Sequence, residues 1–288
     1  MKRILFPTDF SDAANNALDI AMNLAKKSKA ELHILHSLNS AQQYVDISLS
    51  SAGDITMPGM QPEIVMEAIA REKERVTILM EETVKKVKQK GKKVVNEIFT
   101  QSLDSEINDY IQEKFIDFVV MGTRGASGLR EAFIGSVAQK VVRVSTVPVL
   151  TVSEECKDFS IKNLVCSSDF LEEKINMQLP RIQEFADDFS AKLHLLCVNT
   201  PTYFEETIVA QERMNKVVED FKLKPASTSI YNAFDIDEGI IAFSEQKNAD
   251  VIAMVTHGYR GMKKLFNDNV TESVVNHSKI PVLTLHIH

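Results

Sequence analysis

The sequence predicts an α/β protein of two tandem domains, each built on a doubly wound parallel sheet of five strands. Three observations predict this fold. Four short apolar segments recur in the same order in the two halves of the 288-residue chain. Within each half these apolar runs alternate with longer stretches whose apolar residues recur at helical spacing. Several runs are continuously apolar, which is typical of parallel strands that helices cover on both faces.

The internal duplication divides the chain into two domains. Segments of the same character occupy matching places in each half, and a repeat of this size equals an ordinary domain. We place the domains at 1–152 and 161–288, with a short polar linker at 153–160. The paired segments are 3–9 with 163–169, 30–38 with 191–199, 115–122 with 248–255, and 146–152 with 279–285.

Local signals place the elements of the first half. A short apolar strand ends at Asp9, and Ser11 then provides the N-cap of a helix with apolar residues at helical spacing. A long amphipathic helix follows over 62–91 and ends at Gly91, a residue suited to a helix terminus. The remaining predicted elements are a strand over 94–100, a helix over 104–115 and a buried strand over 118–121.

The first half carries a long segment, 42–61, between its second strand and its long helix, and the second half has no counterpart of this length. Loops of this length are commonly lids, interaction segments or disordered stretches. Because the segment starts near the strand ends, where ligands bind in such folds, its position favours a mobile or interaction role.

Composition narrows the class of partner. The formal net charge is -7 and the pI is about 5.6, and the composition gives no sign of the basic face that nonspecific nucleic-acid binding usually needs. The basic run 85–93 is typical of a solvated helix end. Three cysteines without C-x-x-C spacing fit a reducing compartment. No apolar run nears the roughly 18 residues of a membrane span. We therefore expect a cytoplasmic protein that binds neither nucleic acid nor membranes.

The sequence also predicts where a ligand binds. In open parallel sheets ligands bind beyond the carboxyl ends of the strands, and both Asp9 and the glycine-rich segment 122–136 follow such ends. Glycines there permit positive φ and close approach of backbone N–H groups to a phosphate, while Ser136 would open a helix whose N-terminus suits an anion. Alternatively, the glycines only shape a turn, and the residues by themselves favour neither interpretation.

Two motifs resemble a known nucleotide-binding pattern. Pro7-Thr8-Asp9, together with the G-x2-G-x9-G-S spacing of 122–136, resembles the universal stress protein (UspA-like) family over nearly the whole chain, as two tandem domains. The resemblance implies a Rossmann-like sheet of the adenine nucleotide alpha hydrolase-like type, and ATP, with or without Mg²⁺, as the ligand. The ligand residues that it implies are Pro7, Thr8, Asp9, Ser37, Met121, Gly122, Arg124, Gly125, Gly135, Ser136 and Val137.

The implied residues divide by the part of ATP that they contact. Pro7-Thr8-Asp9 and Ser37 would hold the adenine and the ribose, and the glycine loop would hold the phosphates. Arg124 stands where many family members have histidine. Its permanent charge and forked geometry suit phosphate oxygens, so this difference should not harm anion binding.

The second half departs from the pattern. Asp169 is kept, although an Asp at a strand end can simply cap the next helix. A carboxylate at Asp268 would lie where a phosphate belongs, and two unit charges about 4 Å apart repel by about 4 kcal/mol at an effective dielectric of about 20. We therefore predict that this domain does not bind ATP in the usual way; it is a structural partner or holds a different small ligand. The matched pairs are Gly122 with Val255, Gly125 with Gly258, Gly135 with Asp268 and Ser136 with Asn269.

The last strands of the two halves, 147–152 and 280–285, share the pattern x-P-V-L-T. In the family, such strands pair antiparallel across a pseudo-twofold axis. The resemblance therefore implies an intramolecular pseudo-dimer, which would cover two sheet edges that otherwise invite unwanted pairing. A homodimer of whole chains is a further expectation.

Three functions remain open. We favour a cytoplasmic stress-response protein that binds ATP in its N-terminal domain and acts as a nucleotide-dependent regulator rather than a metabolic enzyme. The second is a slow ATPase in which Asp9 positions a metal or water, although no second carboxylate, P-loop or nucleophile-elbow motif is identifiable. The third is a nucleotide-free scaffold for another small ligand. We expect no catalytic residue and no metal site, and we interpret His286 and His288 as a solvated tail.

Overall fold

A computed structural model of the chain describes residues 1–38, 62–91, 93–99, 103–123, 136–156, 160–256 and 267–287. The strands are β1 (Arg3–Pro7), β2 (Glu31–Ser37), β3 (Val94–Phe99), β4 (Phe118–Gly122), β5 (Val149–Val152), β6 (Asn163–Ser167), β7 (Lys192–Asn199), β8 (Ser227–Asn232), β9 (Val251–Thr256) and β10 (Val282–His286). The helices are α1 (Asp12–Ser28), α2 (Pro62–Gln89), α3 (Leu103–Glu113), α4 (Ser136–Val144), α5 (Glu173–Asn176), α6 (Leu179–Phe189), α7 (Thr207–Asp220), α8 (Ile236–Gln246) and α9 (Asn267–His277).

The ten strands form one sheet in the order β3-β2-β1-β4-β5-β10-β9-β6-β7-β8. Within each half every neighbouring pair is parallel. The predicted fold class is therefore confirmed: each half contributes a five-stranded parallel sheet, and the strand order reverses direction beside the first strand of each half.

The two halves join where β5 and β10 pair antiparallel, as the sequence led us to expect. Val149 lies opposite Thr284, and Thr151 lies opposite Val282. The two threonine hydroxyls reinforce this join symmetrically: Thr151 Oγ1 donates to the Val282 carbonyl over 3.1 Å, and Thr284 Oγ1 donates to the Val149 carbonyl over 3.3 Å.

Two apolar layers cover the two faces of the sheet. Alternate residues of each strand supply them, so that Ile4 and Phe6 belong to one layer and Leu5 belongs to the other. Helices α1, α2, α6 and α7 cover the first face, and α3, α4, α8 and α9 cover the second. Both layers run through both halves; Phe118 of β4, for example, stacks on Phe185 of α6 with ring centroids 5.8 Å apart.

The duplication extends to the backbone turns. Positive φ is uncommon for residues other than glycine, so its repetition at matched places marks turns that the fold itself dictates. Among the described residues, those with positive φ form four matched pairs, one member from each half. The pairs are Phe10 with Phe170, Lys29 with Ser190, Gly91 with Lys222, and Phe115 with Asn248.

The local predictions for the first half hold to within a few residues. The Ser11 hydroxyl accepts the Ala14 N–H over 3.2 Å and caps α1. Helix α2 ends at Gln89, and Gly91 follows with a φ of +71°. The segment 42–61 lies outside the described residues. Among the described helices, none combines the length and apolar character needed to cross a membrane.

Candidate functional site

Three neighbouring strands of the first half end together at one edge of the sheet. Pro7 of β1 lies beside Leu35 of β2, and Leu5 lies beside Val119 of β4. Thr8 and Asp9 follow β1 directly, while Ser37 ends β2 and Gly122 ends β4. The carboxyl ends of β2, β1 and β4 thus bring the predicted adenine and ribose residues to the same edge as Gly122.

The turn after β1 is fixed by its own hydrogen bonds. The Thr8 N–H donates to the Leu35 carbonyl over 2.8 Å, which extends the pairing one residue beyond the strand. The Thr8 hydroxyl accepts the Phe10 N–H, and Asp9 Oδ1 accepts the Ser11 N–H, both over 3.0 Å. Because Phe10 adopts a φ of +61°, the chain turns sharply here and delivers Ser11 to the start of α1.

His36 supports this turn from the neighbouring strand, a role that the sequence did not reveal. Its Nδ1 lies 2.7 Å from the Thr8 carbonyl oxygen, and its ring lies 4.8 Å from the Phe10 ring. Since a carbonyl only accepts, Nδ1 carries the proton. Burial lowers the pKa of His36, while the Thr8 carbonyl and the Asp9 charge act in the opposite direction. A neutral imidazole therefore holds the turn at pH 7.

Gly122 is required by packing. A Cβ built there would lie 2.9 Å from the Ala13 carbonyl carbon and 3.0 Å from the Ala14 nitrogen, both backbone atoms of α1. No rotation can move such atoms away. The end of β4 and the first turn of α1 therefore approach closely only because residue 122 has no side chain, and this explains the glycine independently of any phosphate.

The remaining predicted residues lie along and beyond β4. Met121 is buried and its side chain packs in the second apolar layer, so that only its backbone faces the edge. Ser136 is the first residue of the nine-residue helix α4, and Val137, which follows it, is 44% exposed. Arg124, Gly125 and Gly135 lie outside the described residues. Within the described residues, no three His, Cys, Asp or Glu side chains gather closely enough to hold a metal ion.

The second half repeats the turn almost atom for atom. The Ser168 N–H donates to the Leu196 carbonyl over 3.1 Å. The Ser168 hydroxyl accepts the Phe170 N–H, and Asp169 Oδ1 accepts the Leu171 N–H, each over 3.0 Å. The hydrogen bond from the Leu171 N–H is therefore enough to explain an aspartate at position 169, without any ligand.

An internal ion pair occupies the space beside this second turn. Arg213 of α7 donates from Nε to the Asp169 carbonyl oxygen over 2.9 Å. Its two terminal nitrogens bind the two Glu205 oxygens over 2.5 and 2.6 Å. This bidentate pair raises the pKa of Arg213 and lowers that of Glu205. Cys197, at the position matching His36, also contacts Arg213. No motif in the sequence indicated this arrangement.

Two further differences separate the second edge from the first. Val255, at the position of Gly122, is only 6% exposed, so a buried side chain stands where the first half has a glycine against the α1 backbone. The helix after Asp169 is correspondingly short: α5 has four residues, and α6 begins only at Leu179. Asp268 lies in the first turn of α9, and its side chain is outside the described residues. A different role for this domain stays a prediction.

Comparisons with known proteins agree with this description. A universal stress protein YxiE from Bacillus subtilis is 36% identical over 152 residues, covering 52% of this chain and 97% of the relative. Universal stress protein Slr1230 from Synechocystis is 23% identical over 294 residues, covering 99% of each chain. The crystal structure of a universal stress protein from Archaeoglobus fulgidus has a TM-score of 0.67 at 20% identity, covering 99% of this chain and 96% of that one, and it shares the fold.

The family pattern itself matches residues 1–153 and 179–286. It thus takes in the whole first half, including the Asp9 turn and Gly122. In the second half it omits β6, the Asp169 turn and the short helix α5. With the greater part of both halves matched, the chain belongs to the universal stress protein family.

Proposed function

We propose that the chain is a cytoplasmic stress-response protein that binds ATP at the carboxyl edge of its first domain, 1–152. The second domain, 161–288, serves as its structural partner. In this proposal the nucleotide acts as a regulatory ligand rather than as the substrate of a metabolic enzyme. The observation that carries it is the gathering of the Asp9 turn, Ser37 and Gly122 at one strand edge in a member of this family.

The donors and acceptors at this edge suit an adenine nucleotide. Asp9 supplies a carboxylate for ribose hydroxyls, and Ser37 supplies polar atoms at the end of β2 for the adenine. Helix α4 offers the N–H groups and partial positive charge of a helix N-terminus, which suit phosphates. Arg124, Gly125 and Gly135 would complete the phosphate seat, and Mg²⁺ would offset part of the triphosphate charge.

The second edge lacks the corresponding features. Arg213 lies against the Asp169 turn, and Val255 replaces Gly122. We therefore expect about one ATP for each chain rather than two.

Titration calorimetry with the full chain and ATP tests the proposal. We expect one site, which Asp9→Ala weakens by about tenfold or more, as for loss of a hydrogen bond to a charged group. Asp169→Ala is the matched control, because it removes the same turn interaction from the second half and should leave ATP affinity unchanged. Absence of binding, two equal sites, or equal losses in the two variants would contradict the proposal.

Two further measurements separate the proposal from its alternatives. ATP at about 100 times its Kd should stabilise the chain by about 2.7 kcal/mol, whereas a nucleotide-free scaffold would unfold at an unchanged temperature. Phosphate release at the background rate supports a regulatory ligand. Release that stops in Asp9→Ala while binding persists would instead identify an ATPase.

A further inference from the structure

The second half exposes large apolar side chains at the carboxyl edge of its sheet. Leu171 follows β6, Phe204 follows β7 and Phe234 follows β8, and these residues are 68%, 73% and 83% exposed. The three strands are neighbours in the sheet, so the three loops lie side by side. Tyr203 and Ile208, from the segment after β7 and the start of α7, are also exposed. We call the surface formed by 169–175, 200–209 and 233–238 the loop face.

Hydrogen bonds fasten the three loops to one another. Arg213 joins the first two, since it binds both the Asp169 carbonyl and the Glu205 carboxylate. Asn199 joins the second to the third: its side chain accepts the Glu205 N–H over 3.0 Å, and its carbonyl accepts the Ala233 N–H over 3.1 Å. The apolar side chains therefore project from a braced framework, which reduces the entropy lost on binding.

The apolar area exposed on these neighbouring loops is comparable to the largest apolar patch on a typical monomeric protein. A phenylalanine contributes about 200 Å² when fully exposed, so Phe204 and Phe234 alone present about 300 Å². Leu171, Tyr203 and Ile208 add to this. On monomeric proteins the largest apolar patch, about 300 to 600 Å², is often a functional surface.

The charge on the same loops indicates what kind of partner fits. Eight carboxylates and a single lysine, Lys174, lie in the three segments, and Arg213 of α7 neutralises one of the carboxylates, Glu205. An anionic membrane or a nucleic acid would be repelled, and so would the loop face of a second copy of the chain. A cationic partner would instead be attracted. The carboxylates are Asp169, Glu172, Glu173, Glu205, Glu206, Asp235, Asp237 and Glu238.

We propose that the loop face docks a basic amphipathic segment of a partner protein. Apolar side chains of that segment pack on Phe204, Phe234 and Leu171, and its lysines or arginines pair with the surrounding carboxylates. Aromatic anchors at the centre of an acidic rim provide affinity and orientation respectively. The loop face belongs to the second domain, so the proposal is independent of ATP binding in the first.

Fluorescence anisotropy with three labelled helical peptides tests this proposal on the full chain. The first peptide carries leucines along one face and lysines on the other, the second has glutamates in place of lysines, and the third has serines in place of leucines. We expect only the first peptide to bind, and we expect added salt to weaken it.

Matched variants locate the binding. Phe204→Ser with Phe234→Ser should weaken the first peptide at least about tenfold. Phe115→Ser is the control, because Phe115 is 76% exposed but lies in the first half. Glu206→Gln with Glu238→Gln should weaken binding and flatten its salt dependence, whereas Glu81→Gln with Glu82→Gln, an equal change of charge on α2, should not. These side chains are exposed, so the variants should fold normally.

Several outcomes would overturn the proposal. They are the failure of the first peptide to bind, equal binding of the glutamate or serine peptide, and equal weakening by Phe115→Ser. Binding to anionic vesicles that is lost with the two phenylalanines would assign the surface to a membrane. A dimer in sedimentation that dissociates in Phe204→Ser with Phe234→Ser would assign it to a second copy of the chain.

Discussion

Replacing Gly122 by alanine tests how the first-half site is built. The new Cβ would lie 2.9 to 3.1 Å from backbone atoms of Ala13 and Ala14, where carbon atoms in ordinary contact lie about 3.5 to 4.0 Å apart. Relief requires a shift of β4 or of the first turn of α1. That turn is capped by Ser11 and follows the Asp9 turn directly, so the predicted nucleotide residues would shift with it.

The expected magnitude follows from two opposing effects. Glycine-to-alanine replacement at an unstrained position stabilises by about 0.4 to 1 kcal/mol, because it restricts the unfolded chain. Overpacking of a well-packed site costs about 1 to 3 kcal/mol. Because the colliding atoms belong to the backbone, the second effect should prevail. We expect Gly122→Ala to lower the free energy of unfolding by about 1 to 2 kcal/mol.

Urea unfolding and amide hydrogen exchange together check the reasoning. Gly91→Ala is the control: residue 91 has a φ of +71° and a Cβ added there would meet nothing within 4 Å, so its cost is purely conformational. Both variants should lose stability, but only Gly122→Ala should speed exchange of the Ala14 amide, which Ser11 holds. Wild-type stability of Gly122→Ala, or unchanged exchange at Ala14, would refute the steric explanation.

Two further predictions concern His36 and Arg213. Burial lowers the pKa of His36 in the folded chain, so as the pH falls the unfolded chain binds a proton at this residue before the folded chain does. The contribution of neutral His36 to the free energy of unfolding should therefore be complete above the ordinary pKa of about 6.5 and should decrease as the pH falls below it. Between about pH 8 and pH 5 the urea midpoint should fall less steeply in His36→Asn than in the wild-type chain, because asparagine does not titrate and its amide can still donate to the Thr8 carbonyl. Equal slopes in the two chains would contradict this prediction. A double-mutant cycle on Arg213 and Glu205 should give a coupling of about 1 kcal/mol or more, since both side chains are partly buried and bidentate. The exposed pair of Arg71 and Glu67 should give a coupling of no more than about 0.5 kcal/mol. Similar couplings for the two pairs would contradict the prediction that the bidentate pair is the stronger one.

Local patterns were enough to predict the fold and the strand ends at which the candidate site residues lie. Alternation of apolar runs with helical periodicity predicted the elements, and repetition of those runs predicted the two halves. The Ser11 cap and the end of α2 near Gly91 depend on neighbours in sequence, so a single chain reveals them. The strand ends that gather Asp9 and Ser37 follow from the parallel topology alone.

Contacts between distant residues could not be predicted in the same way. His36 of β2 contacts Thr8, which follows the neighbouring strand β1, so this contact depends on the register between the two strands. Gly122 was explained by approach to a phosphate, whereas its nearest obstacle is the backbone of α1, more than a hundred residues away in sequence. Arg213 is one charged residue among many on α7, and its helical position does not reveal that it reaches the Asp169 turn.

The two edges share one turn but differ in the side chains around it. The turn after the first strand is kept in both halves because its hydrogen bonds deliver the chain to the next helix. Cys197 stands where the first half has His36, and Arg213 binds the Asp169 carbonyl, one residue beyond the carbonyl position that His36 contacts. Val255 is buried at the position of Gly122. Val255→Gly alone would remove a buried side chain while Arg213 stayed in place, and the cavity left behind would destabilise the core rather than create a nucleotide site.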